Sequence, residues 1–184
     1  MRRALDMLYQ AVLVLAACCL VAIALLVGAQ LAGRILDGTL ALLHLQRTGF
    51  IILSLNEICG YLLAGASFLA LAGTLKAGAH IRVTMLLTSV GEGVRHYLET
   101  WAFGFAAVVS GYMAWHITHF AWVTFMFHDV SSGVLRIPLW IPQMPMAIGA
   151  LVLTVALLDE LVIVVIRGRP SFRAAEDSIS LAKE

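Results

Sequence analysis

The chain has 184 residues, 61% of them apolar and only 12% charged, with a mean hydropathy of +0.95. A soluble domain carries about 45–50% apolar and about 25% charged residues, so this composition excludes an ordinary water-soluble fold and calls for lipid as solvent. The net charge of +1 gives no global field for nucleic acid or an acidic substrate, so information lies in where the charges fall.

Arg2 and Arg3 open the chain, and the run from Met7 to Gly33 contains no Asp, Glu, Lys or Arg. A secretory leader has an apolar stretch of only about 7–15 residues. The run is therefore read as a retained first membrane span, about 8–33. Beyond it, Ile35, Leu36, Leu40, Leu43 and His44 precede Arg47 at weakly helical spacing. Two readings stand: a short helix lying in the interface, or continuation of one long tilted helix.

A second span is expected at about 50–75, interrupted by Glu57. A carboxylate at the centre of a membrane helix costs about 2.5–3.5 kcal/mol. Counted from Phe50, Glu57 lies roughly 10 Å deep. It either relays a proton or cation, or locks helices through a hydrogen bond or ion pair. One isolated carboxylate makes a poor transport path, so the locking role is preferred. Gly60, Ala64, Gly65, Ala66, Ala70 and Gly73 give the same helix a small-residue surface, which lets helices approach closely in lipid.

After Lys76, apolar residues at Val83, Leu86, Leu87, Val90, Val94 and Tyr97 oppose Thr84, Thr88, Glu92 and Arg95. That pattern predicts an amphipathic helix on the membrane surface between Arg82 and Glu99. A third span is expected at about 100–127. Its His116 and His119 share a helix face, and with His128 they raise haem or metal ligation. Haem in a bundle wants histidines facing each other from separate helices, and His44, His80 and His96 all fall in loops. A haem-binding anchor of a redox complex is therefore the alternative reading, and no metal or cofactor is expected.

A fourth span is expected at about 142–166, beginning near Pro142 or Pro145 because proline suits a first helical turn. Trp140 would mark the water–lipid boundary. Asp159 and Glu160 lie near its far end, within reach of Lys76, Arg82 or Arg167. Residues 171–184 form a polar tail. The runs are long and continuous, so the fold class is an all-α integral membrane protein of four transmembrane helices with interfacial amphipathic helices, rather than a barrel.

Nine Lys and Arg residues fall on the side of the termini and the second loop, against Arg34, Arg47 and Arg136 on the other. The positive-inside rule then predicts both termini in the cytoplasm. Cys18, Cys19 and Cys59 lie within apolar runs and are read as packing residues. No nucleophile–base pair, phosphate-cradling loop or paired catalytic carboxylates point to an enzyme.

Three stretches carry a resemblance: Glu57-Ile-Cys-Gly-Tyr61 with Gly65-Ala-Ser-Phe68, Thr74 to Val83 with its His80-Ile81-Arg82-Val83 turn, and Ile137 to Gly149. Together they resemble the small membrane subunit of tripartite ATP-independent periplasmic (TRAP) transporters, the DctQ-like family, over nearly the whole chain. Ser54 stands where many members of that family carry Trp. The resemblance implies a non-enzymatic subunit of the bacterial inner membrane. Its partners would be a large sodium-coupled elevator subunit, a periplasmic binding protein for an organic acid, and membrane lipids. It implies interface roles for Glu57, Gly60, Gly65, Lys76, His80 and Arg82, and Arg34, Arg47 and Arg136 are candidates for docking the binding protein.

Overall fold

A computed structural model describes residues 2–46, 48–76 and 92–167. Four helices follow in order: α1 (Arg2–Leu42), α2 (Leu55–Lys76), α3 (Glu92–Phe127) and α4 (Trp140–Arg167). No strand forms among the described residues; Val130 and Pro138 make one isolated antiparallel bridge. By length and apolar composition, Leu5–Leu42, Leu55–Lys76 and Trp140–Ile166 qualify as membrane spans. Helix α3 has 36 residues, ample for a crossing. Its Trp, Tyr and His residues lower its hydropathy, so three helices meet the criterion where four spans were expected.

The expected helix boundaries shift for local reasons. Helix α1 runs 41 residues without a break at Gly33, so the segment after it continues the first helix. At about 1.5 Å per residue it is roughly 60 Å long, twice a hydrocarbon core. It ends in a Schellman turn: Leu45 N–H donates to Leu40 O at 2.9 Å and His44 N–H to Ala41 O at 3.2 Å, with His44 left-handed at φ 54°. The connector then returns along α1. Asp37 accepts from the amides of Thr48 at 2.7 Å and Gly49 at 3.1 Å, and Gln30 Oε1 accepts from Ile52 N–H at 2.8 Å. Phe50 lies against Gly33. Residues 50–54 are thus connector, and α2 begins at Leu55 rather than Phe50.

Helix α3 already starts at Glu92, so the end of the expected interfacial helix is continuous with it; residues 82–91 lie outside the described residues. Helix α4 starts at Trp140, which places Pro142 in its first turn and Pro145 inside it. The tail at 171–184 is outside the described residues.

Contacts run α1 to α2, α2 to α4, and α4 to α3. Helices α2 and α4 run parallel in the middle. Their register is constant: Gly65 faces Pro145, and Gly149 faces the Phe68–Leu69 backbone. The buried core draws on all four helices, including Tyr9, Val12 and Ala16 of α1, Leu69 and Ala72 of α2, and Ala107 of α3. Ala156 and Val152 of α4 complete its centre. Such a core is dominated by small residues because membrane helices associate through close packing rather than through expulsion of water.

Candidate functional site

Three fastenings join α2 to the rest of the bundle. The first is at the connector end. Glu57 is in the first turn of α2, where the helix dipole favours a carboxylate. It is not deep in the span as expected, because α2 starts five residues later. Tyr61 OH donates to Glu57 Oε1 at 2.8 Å. Gly133 of the α3–α4 connector sits directly on the Glu57 carboxylate, so close that a methyl group on Gly133 would overlap it. Ser54, left-handed at φ 55°, accepts from Leu135 N–H through its hydroxyl at 3.2 Å. The same connector is folded by Ser131 N–H donating to Ile137 O at 2.8 Å and Ser131 Oγ to Leu135 O at 2.8 Å. Glu57 and Ser54 thereby hold the start of α2 beneath the loop that joins α3 to α4.

The second fastening is the crossing itself. A Cβ on Gly149 would clash with the Phe68 carbonyl carbon and lie 2.7 Å from Leu69 N. Backbone therefore meets backbone, and only glycine fits. Gly65 is buried, and a Cβ there would come 3.2 Å from Pro145 Cβ. Gly60 behaves differently: it is exposed and a Cβ would meet nothing. It lies on the outer side of α2, away from the seam with α4.

The third fastening is at the end carrying the termini. Lys76 Nζ bridges Asp159 Oδ2 at 2.6 Å and Glu160 Oε1 at 2.9 Å. Glu160 is fully buried. Adjacent residues of a helix point about 100° apart, yet both carboxylates reach one ammonium that sits between them. Lys76 also lies 5.3 Å from the centroid of the buried Tyr9 ring, a cation–π contact that brings α1 into the cluster.

His80, Arg82 and Arg47 lie outside the described residues. Arg34 and Arg136 are both exposed, Arg34 on the far part of α1 and Arg136 on the α3–α4 connector. His116 and His119 face outward from α3 and not into the bundle, so the facing pair a haem would need is not formed by them. His128 closes α3: it is left-handed at φ 54°, and Asp129 N–H donates to Thr124 O at 3.2 Å. Sequence reading missed Gln30, Asp37 and Ser54. A polar residue in an apolar helix is the only sequence signal that Gln30 gave.

Residues 41–167 match the family model described as tripartite ATP-independent periplasmic transporters, DctQ component. The chain belongs to this family. The match opens at the end of α1 and covers α2, α3 and α4 to the last residue of α4. It includes all three fastenings, with Tyr9 of the third lying on α1 before it. No curated protein and no solved structure matches the chain significantly. The chain is thus a membrane protein and a transporter component, the small one of its kind.

Proposed function

We propose that this chain is the stationary brace of a TRAP transporter, scaffolding a large sodium-coupled elevator subunit that imports an organic acid delivered by a periplasmic binding protein. The observation that carries the reading is the triple fastening of α2 to α4 and the connector before it: an ion-pair cluster at one end, a glycine-only crossing in the middle, and the Glu57 knot at the other. A moving element slides on smooth, repackable seams. Here backbone lies on backbone, and packed seams of this kind resist continuous deformation.

In this reading all four helices span the inner membrane with both termini in the cytoplasm. Lys76, Asp159 and Glu160 then sit toward the cytoplasm and Glu57 toward the periplasm. Reporter fusions at Gly38 and Glu184 test it; finding both on one side of the membrane sinks the four-span layout. Arg34 on the extended end of α1 and Arg136 in the α3–α4 connector offer positive charge for docking an acidic face of the binding protein. Gly60, His80, Arg82 and Arg47 remain interface or docking candidates.

The direct test is reconstitution. The large subunit is placed in proteoliposomes with and without this chain, and sodium-driven uptake of the organic acid carried by the binding protein is measured. Uptake is expected to collapse without the chain. Full uptake without it would refute the brace.

A further inference from the structure

Helix α3 carries two opposed seams at the same 4-3 spacing. The inner one is small: Ala107, Ala114 and Ala121 are buried, and Ser110 shares a 2.9 Å hydrogen bond with Thr154 of α4. The outer one is large. It begins at Trp101 and continues through Phe105, Val108, Tyr112 and Trp115 toward Met126, each 59–72% exposed. His119 and Trp122 fall in the same register and are also exposed. A 3.5-residue apolar repeat is the spacing by which one helix seats along another.

Two features separate this stripe from a lipid-facing surface. The first is composition. The outward residues of α1 are aliphatic, such as Leu20, Val21 and Leu25, and Tyr9 is the sole aromatic residue of that helix. Lipid asks for nothing more. The second is depth. Phe125 meets Trp140 at 5.5 Å, where α4 begins. At about 1.5 Å per residue, His119 lies roughly 9 Å and Tyr112 roughly 20 Å further in. Tyr and Trp favour the membrane boundaries, yet Tyr112, Trp115, His116 and His119 sit between them. None of the four side chains makes a hydrogen bond to another described residue; Tyr112 and His116 only place their rings 4.3 Å apart. Hydrocarbon cannot satisfy such donors.

Aromatic side chains present about 150–250 Å² each. At the exposures seen, the stripe's five Phe, Tyr and Trp side chains offer roughly 500–800 Å², and with Val108, His119 and Met126 the stripe reaches the ~800 Å² per partner of a standard interface. We infer that the outer stripe of α3 seats a transmembrane helix of the transporter's large membrane component, one that presents hydrogen-bond acceptors opposite Tyr112 and His119. The inference rests on the brace reading and on membership of a multi-component transporter.

Photo-crosslinking in the assembled complex tests it. Benzoylphenylalanine is incorporated singly at Phe105, Tyr112 or Trp122, and at Leu25 on the outer face of α1 as the comparison. Cross-links to the large component from the α3 positions, and none from Leu25, are expected. Cross-links from Leu25 alone, or from α3 to a second copy of this chain, overturn the inference while the brace reading stands. Loss of the large component from preparations of the unaltered chain overturns both. A double His116→Leu, His119→Leu variant keeps the surface apolar and removes two donors. Recovery of the complex should fall about three- to tenfold; unchanged recovery contradicts the polar part of the seat.

Discussion

Lys76 and Glu160 meet at 2.9 Å across the α2–α4 seam, with the Glu160 side chain fully buried. The two residues are 84 apart in sequence, so the pair ties distant parts of the chain together. Removing one partner of a buried pair typically costs about 3–5 kcal/mol. Lys76→Met should therefore lower stability in detergent by about 3 kcal/mol, read as a fall in the thermal unfolding midpoint. Adding Asp159→Asn and Glu160→Gln should recover part of the loss. A triple variant no better than the single would mean that the carboxylates are balanced elsewhere.

Two helix glycines, Gly149 on the α2–α4 seam and Gly60 off it, should respond oppositely. Gly149→Ala forces a methyl group into the Phe68 backbone, and overpacking of this kind costs about 1–3 kcal/mol. Gly60→Ala meets open space and should stabilise α2 by up to about 1 kcal/mol through helix propensity. Thermal unfolding of the two variants side by side checks this. Equal effects would contradict the crossing described above.

Gly133→Ala should displace the flexible Glu57 carboxylate and break its bond from Tyr61, a loss of about 1 kcal/mol. Tyr61→Phe should cost a similar amount, and the double variant little more than either alone. Limited proteolysis of the α3–α4 connector reports the loosening directly.

His128 is a helix cap in left-handed geometry, which costs a non-glycine residue roughly 1–2 kcal/mol. His128→Gly should therefore leave the protein as stable or stabilise it by up to about 1 kcal/mol. A marked loss of stability would instead show that the imidazole's contacts with Met126 O and the Phe125 ring hold the cap.

The helical class was readable because lipid imposes long apolar runs, and Glu57 and Lys76 were visible as charges within them. Other features needed the third dimension. The run Phe50–Leu53 is as apolar as a span, but Gln30 and Asp37 draw it back along α1, which moved Glu57 to a helix end. Gly60 and Gly65 look alike in sequence; only the angle around α2 separates an open site from a packed one. Nothing in the sequence pairs Ser54 with Leu135, yet the Ser54 hydroxyl ties the two connectors. The pairing of Lys76 with both Asp159 and Glu160 depends on the parallel register of α2 and α4. That register is set by the glycine crossing.

The central claim, that α2 and α4 stay fixed while the transporter works, can be tested by locking them. A Cβ on Gly65 would lie 3.2 Å from Pro145 Cβ, close to the roughly 3.5–4.5 Å of a disulfide. A Gly65→Cys, Pro145→Cys pair is introduced with Cys18, Cys19 and Cys59 replaced by Ala. Sodium-driven uptake by the reconstituted transporter is then compared in the oxidised and reduced states. A stationary brace predicts equal uptake in both. Uptake abolished by oxidation and restored by reductant would show that the seam moves during transport.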